Sequence, residues 1–134
     1  MTRVPSAIRE EVYRRANYRC EYCGIRDGID LVEHQVDHII SQKHDGASTL
    51  DNLALACFWC NNSKGSDLAA YDDELLAPFF NPRHSDWDVH FEMDFETAII
   101  FGKTPIGRVT VRILEMNKEE RLLLRTRIIN AGLW

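Results

Sequence analysis

A chain of 134 residues, 45% hydrophobic and 28% charged, has the make-up of an ordinary soluble globular protein: one domain, or a small core with an extension. Its longest apolar runs fall far short of a membrane span and its N-terminus lacks the apolar core of a signal peptide, so a cytoplasmic location without membrane partners is expected. A formal net charge of -5 excludes a surface that is basic throughout, and any phosphate-binding face has to be a local patch.

In chain order, residues 4–17 predict a helix. Pro5 and Ser6 stand near its start, and Val4, Ile8, Val12 and Ala16 recur four apart on one face. Arg9, Arg14, Arg15 and Arg19 cover the remainder, either as a solvated face or as a phosphate-contacting patch. Cys20-Glu21-Tyr22-Cys23-Gly24 has the form of a metal knuckle, with Gly24 free to take positive φ. Residues 31–40 read as strand, and His34 as a residue of its face. Residues 43–49 form a polar loop around Asp45-Gly46. Residues 50–56 carry Leu53 and Leu55 toward a second cysteine pair, and a short helix runs from Asn61 to the region of Lys64-Gly65.

Residues 71–74 read as an acidic connector, and Pro78 and Pro82 bracket an aromatic turn at Phe79-Phe80-Asn81. Trp87, Val89, Phe91, Met93 and Phe95 alternate with polar residues, the period of a half-buried strand, with residues 97–101 as its partner. Thr104-Pro105 opens a helix as N-cap and first-turn proline. Asn117 with Glu120 opens another as a capping box, ending at Gly132. The expected fold class is α+β, with residues 1–70 and 71–134 packed as one globular unit.

All four cysteines lie in two C-x-x-C pairs, Cys20/Cys23 and Cys57/Cys60. In a reducing compartment such pairs are more often metal ligands than disulfides, and two knuckles supply the four thiolates of a structural Zn2+ tetrahedron. The competing readings are two disulfides, a redox dithiol, or buried thiols; a redox dithiol wants a thioredoxin-like context that is missing here. Between the pairs sits Asp37-His38, and Asn61 follows Cys60 directly. Mg2+ takes oxygen ligands and keeps several waters, which suits Asp37 and Asn61, and His38 has the proton affinity of a general base near neutral pH. An isolated Asp-His pair is more often structural. Neighbours in a regular strand also point to opposite faces, so Asp37 and His38 share a site only where the strand ends or bulges.

Asp37-His38-Ile39-Ile40, then Asn52-Leu53, then Cys57-x-x-Cys60-Asn61-x-x-Lys64 resembles the HNH endonuclease family over roughly residues 20–66. The resemblance implies a ββα-metal fold, in which two antiparallel strands, a loop and a helix surround one divalent ion. It implies that Asp37 and Asn61 hold a catalytic Mg2+ or Mn2+, that His38 activates water, and that Asn52 braces the loop orienting His38. Lys64 becomes a candidate phosphate contact. Asn61 stands where the family's last His would, and its amide oxygen suits Mg2+. DNA is the implied substrate, cut to a 5′ phosphate and a 3′ hydroxyl. With a negative net charge, a homodimer or protein partner would supply positive surface.

His44 is either a second phosphate contact or a solvated loop residue, and Trp59 either stacks on a base or packs on its knuckle. The C-terminal half resembles, more loosely, the extension of small free-standing bacterial HNH proteins, through Phe80-Asn81-Pro82-Arg83, Trp87, His90-Phe91 and Thr104-Pro105-Ile106-Gly107-Arg108. There Arg108, Arg112, Arg121, Arg125 and Arg127 either line a DNA-facing surface or pair with Glu115, Glu119 and Glu120 on the same helices. The alternative function is a non-catalytic zinc module that binds nucleic acid or protein. A third is an RNA-directed or toxin-like nuclease.

Overall fold

The computed structural model describes residues 4–29 and 31–134. It combines helices with small antiparallel strand pairs, an α+β architecture, and the chain divides into two compact units: Met1–Asp67 with Asn81–His84, and Leu68–Phe80 with Ser85–Trp134.

The first unit contains α1 (Ser6–Arg15), β1 (Gln35–His38), β2 (Leu53–Ala56) and α2 (Phe58–Lys64). β1 and β2 pair antiparallel, Val36 opposite Leu55 and His38 opposite Leu53. Alternation gives this hairpin two different faces. Val36, Leu53 and Leu55 pack with Val4, Ile8, Val12 and Ala16, so the four-apart stripe of α1 covers one face. Gln35, Asp37, Ala54 and Ala56 turn to the other, toward α2. The two alanines are fully buried, and their small side chains let the helix approach closely.

β1 is shorter than the predicted residues 31–40, because Leu31 and Val32 are exposed and lie outside the core. α2 begins at Phe58, upstream of the predicted start at Asn61. Its N-cap is a thiol: Cys57 Sγ accepts the amide of Cys60 at 3.4 Å, a role taken more often by hydroxyl, carboxylate and amide side chains.

The second unit contains β3 (Ala69–Asp72), β4 (Leu75–Pro78), α3 (Trp87–His90), β5 (Phe91–Met93), β6 (Ile100–Gly102), α4 (Pro105–Ile113) and α5 (Glu119–Asn130). The predicted connector at residues 71–74 is the tip of a hairpin, with Asp72 opposite Leu75 and Asp73 at φ 54°. The alternating run splits into a helical turn and a short strand. Trp87 and Phe91 are four apart, a spacing that satisfies a helix as well as a strand, and their rings stack at 5.1 Å. α4 starts as predicted: Thr104 Oγ1 accepts the Gly107 amide at 3.0 Å and Pro105 follows. α5 starts at Glu119 instead of Asn117, whose side chain is committed to β6, accepting from Ile100 N at 2.9 Å and donating to Ile100 O at 2.8 Å.

Two of the five arginines proposed for a surface row are buried. Arg125 donates to the carbonyls of Ala98 and Met116 and to Asn117 Oδ1, and Arg121 to the carbonyl of Leu114. Arg108 pairs with Asp72 at 2.9 Å rather than with a helix glutamate. Among the described residues, no helix is long and apolar enough to cross a membrane.

Candidate active site

The four cysteines converge. Their sulfur atoms all lie within 4.8 Å of one another, all four are buried, and Cys23 and Cys57 Sγ are 3.7 Å apart. A zinc ion with bonds of about 2.3 Å sets the sulfurs of its tetrahedron about 3.8 Å apart, whereas a disulfide needs about 2.05 Å. Each pair is folded as a knuckle, with the amides of Cys23 and Cys60 pointing at Cys20 and Cys57 Sγ at 3.4 Å. Burial, with the neighbouring sulfurs, pushes the Cys20 thiol well up, and burial does the same to Cys60. Four thiolates coexist in such a place only around a cation, and the donor set fits zinc. The first knuckle is fixed to the free edge of β2, where Glu21 N donates to Leu55 O at 2.8 Å, and the second leads directly into α2.

β1 stays regular to its last residue, so Asp37 and His38 project to opposite faces, and the strand ends at His38. Asp37 is 5% exposed. Tyr22 donates its hydroxyl to Asp37 Oδ2 at 2.9 Å, and Lys64 Nζ lies 3.2 Å from Oδ2 and 3.4 Å from Oδ1. Burial pushes the Asp37 carboxyl above the usual range, while Lys64 and the Tyr22 hydroxyl pull it down. Lys64 also donates to the His38 carbonyl at 3.1 Å. The residue expected to meet phosphate therefore turns inward: Lys64 is 2% exposed, and its ammonium grips both members of the Asp-His dipeptide.

Asn52 works as an extra piece of strand. Its Oδ1 accepts from Ile40 N at 2.9 Å, and its Nδ2 donates to Ile40 O at 2.9 Å and Ala47 O at 2.8 Å, tying the start of the loop to its end. Gly46 is required beneath it, since a Cβ there would stand 1.7 Å from Ile40 O and 2.9 Å from Asn52 Nδ2. The closed loop sets Ser48 Oγ 2.9 Å from His38 Nε2. His38 itself is half-buried. Asn61, on α2, donates Nδ2 to Gln35 Oε1 at 2.6 Å, so it sits over the Asp37 side of the hairpin. His44 lies in the exposed turn Gln42–His44.

The sequence reading missed Tyr22, Gln35 and Ser48. Tyr22 looked like a knuckle spacer, and Ser48 acquires a partner only when the loop closes. Gln35 carried one faint signal, its position two before Asp37 and hence on the same strand face. For a divalent cation the donor chemistry fits. An ionised carboxylate offers about four acceptor sites, and Tyr22 and Lys64 make three contacts with Asp37, one of them on Oδ1.

Residues 20–67 match the model of a family described as HNH endonuclease. Both cysteine pairs, Asp37-His38, Asn52 and Asn61 fall inside that match. A 59-residue segment is 36% identical to part of the CRISPR-associated endonuclease Cas9 of Corynebacterium diphtheriae, covering 43% of this chain and 5% of that protein. No solved structure gives a significant match.

Proposed function

We propose that the chain, whose residues 20–67 match the HNH endonuclease model, is a divalent-metal-dependent endonuclease hydrolysing DNA phosphodiester bonds, with a structural zinc on Cys20, Cys23, Cys57 and Cys60. The observation that carries this is the arrangement at the end of β1. His38 is the last strand residue, held from one side by Ser48, while Asp37 and Asn61 belong to the seam between the same strand and α2. The mechanism requires a phosphate that lies across that strand end.

In this mechanism the neutral His38 imidazole donates Nε2–H to Ser48 Oγ, which leaves the Nδ1 lone pair free. Nδ1 takes a proton from water, the hydroxide oxygen attacks phosphorus in line, and the 3′ oxygen departs with the electron pair of its bond to phosphorus and takes a proton from solvent water, leaving a 5′ phosphate and a 3′ hydroxyl. General-base help of this kind is worth about 10²–10⁴-fold. A divalent cation held by Asp37 and Asn61 would supply positive charge against the developing oxyanion, worth several kcal/mol. Lys64 acts through Asp37 and the His38 carbonyl as a positioning residue, and Asn52 keeps the loop closed.

A second reading rests on the burial of Asp37. A carboxylate 5% exposed and already paired with Lys64 is also what a purely structural ion pair looks like, and the domain would then bind nucleic acid or protein without cutting it. Supercoiled-plasmid cleavage by the wild type and His38→Ala, each with EDTA and with Mg2+ or Mn2+, separates the two. Metal-dependent nicking that disappears in folded His38→Ala is the expected result. No cutting by the folded, zinc-loaded wild type sinks the nuclease reading, and cutting that survives His38→Ala removes His38 as the base.

A further inference from the structure

We propose that Gln35 is the positioning residue that fixes the orientation of the Asn61 amide and so presents Asn61 Oδ1, rather than Nδ2, to a divalent cation; this rests on the nuclease reading of the site. An amide has two chemically opposite ends, an acceptor oxygen and a donor NH2, and only the oxygen binds a hard cation. Rotation by half a turn exchanges them, so an amide ligand needs something that tells the ends apart. In the structure the acceptor is Gln35 Oε1, which lies 2.6 Å from Asn61 Nδ2 and draws the NH2 end toward the start of β1. The oxygen end is thereby turned away from Gln35.

Among the described residues, the Gln35 side chain has no other hydrogen bond. The side chain is exposed and lies outside the core formed by Val4, Val12, Leu53 and Leu55, and the backbone pairing with Ala56 is indifferent to side-chain identity. Gln35 and Asp37 are two apart on one strand, and Asn61 and Lys64 are three apart on one helix. They form two rungs between β1 and α2: Gln35 with Asn61, and Asp37 with Lys64. The first rung is neutral, orienting a ligand without adding negative charge beside Asp37.

The test compares the zinc-loaded wild type with Gln35→Met, which keeps the length and loses the acceptor, and Gln35→Glu, which keeps the acceptor. Mn2+ affinity is read by the electron paramagnetic resonance signal of free Mn2+, independently of activity, with melting temperature as the check on folding. Losing one hydrogen bond of ordinary strength predicts about fivefold weaker Mn2+ binding in Gln35→Met, with wild-type or tighter binding in Gln35→Glu. In plasmid nicking the effect falls on the half-saturating metal concentration rather than on kcat. Unchanged Mn2+ affinity in Gln35→Met overturns the inference, as does an equal loss in Gln35→Glu or a wild type that binds no Mn2+. A wild type that binds Mn2+, loses affinity in Gln35→Met and cuts no DNA upholds the orientation of Asn61 and sinks the nuclease reading instead.

Discussion

Lys64 holds two consecutive residues at once, the Asp37 carboxylate and the His38 carbonyl, from a position almost closed to water. Removing one partner of a buried ion pair leaves the other charge uncompensated. Lys64→Met is therefore expected to destabilise the zinc-loaded protein by about 3–5 kcal/mol, read by urea unfolding. The double variant with Asp37→Asn should recover part of that loss, because no buried charge is then stranded. At Ser48 the expectation is kinetic. Ser48→Ala removes the partner of His38 Nε2 and should lower kcat by about three- to tenfold, the worth of one hydrogen bond, with the melting temperature little changed. The motif made Asp37, His38, Asn52 and Asn61 legible as candidates, because their types and spacing suffice to pick them out. The inward turn of Lys64 was not legible. Whether a helical lysine meets phosphate or a buried carboxylate depends on which helix face lies on the hairpin, and that is settled only by packing.

At the level of elements, α4 shows what a correct local reading rests on. Thr104 was identifiable as its cap because Ser/Thr before proline is a local signal, and its Oγ1 also lies 2.7 Å from His90 Nδ1. Thr104→Ala should cost about 1–2 kcal/mol in thermal unfolding, with Thr104→Ser restoring most of it. β3 and α4 are tied by Asp72 and Arg108. The hydrogen-bonded guanidinium holds the Asp72 carboxyl below the usual carboxylate range, so the unfolded chain takes up that proton at a higher pH than the folded one. The stabilisation is present above the ordinary carboxylate range and is lost as pH falls through the lowered value. Arg108→Gln should be less stable than the wild type near neutral pH, with the gap closing in acid, as read by denaturant unfolding across the acid limb. The elements that escaped the sequence were those with ambiguous or non-local signals. The stretch at Trp87–His90 fitted two periods, the β3–β4 turn at Asp73 and Glu74 lacked glycine, and Asn117 abandoned a plausible cap to hold β6.

For the molecule as a whole, the hairpin and α2 form a core too small to rest on burial alone, since a scaffold below about 70–80 residues rarely draws more than about 3–5 kcal/mol from its core. Structural zinc in zinc-finger peptides contributes about 10–16 kcal/mol of apparent folding free energy. Stripping the metal with a strong chelator, or Cys20→Ser, should therefore unfold residues 20–67. Hydrogen exchange checks this at the amides of Cys20, Glu21, Gly24 and Asn61, which are hydrogen-bonded in the folded chain and should lose protection together. Survival of that protection in the metal-free protein would remove zinc from the account of stability.

Cys57 is at once a member of the sulfur cluster and the cap on which α2 begins. Those two duties impose an order of events in time. On the zinc reading, the ion that gathers the four sulfurs also fixes the cap from which α2 starts, and α2 carries Asn61 and Lys64. On the proposed nuclease reading, a newly made chain would hold every residue of its reaction centre and stay inert until one ion is supplied.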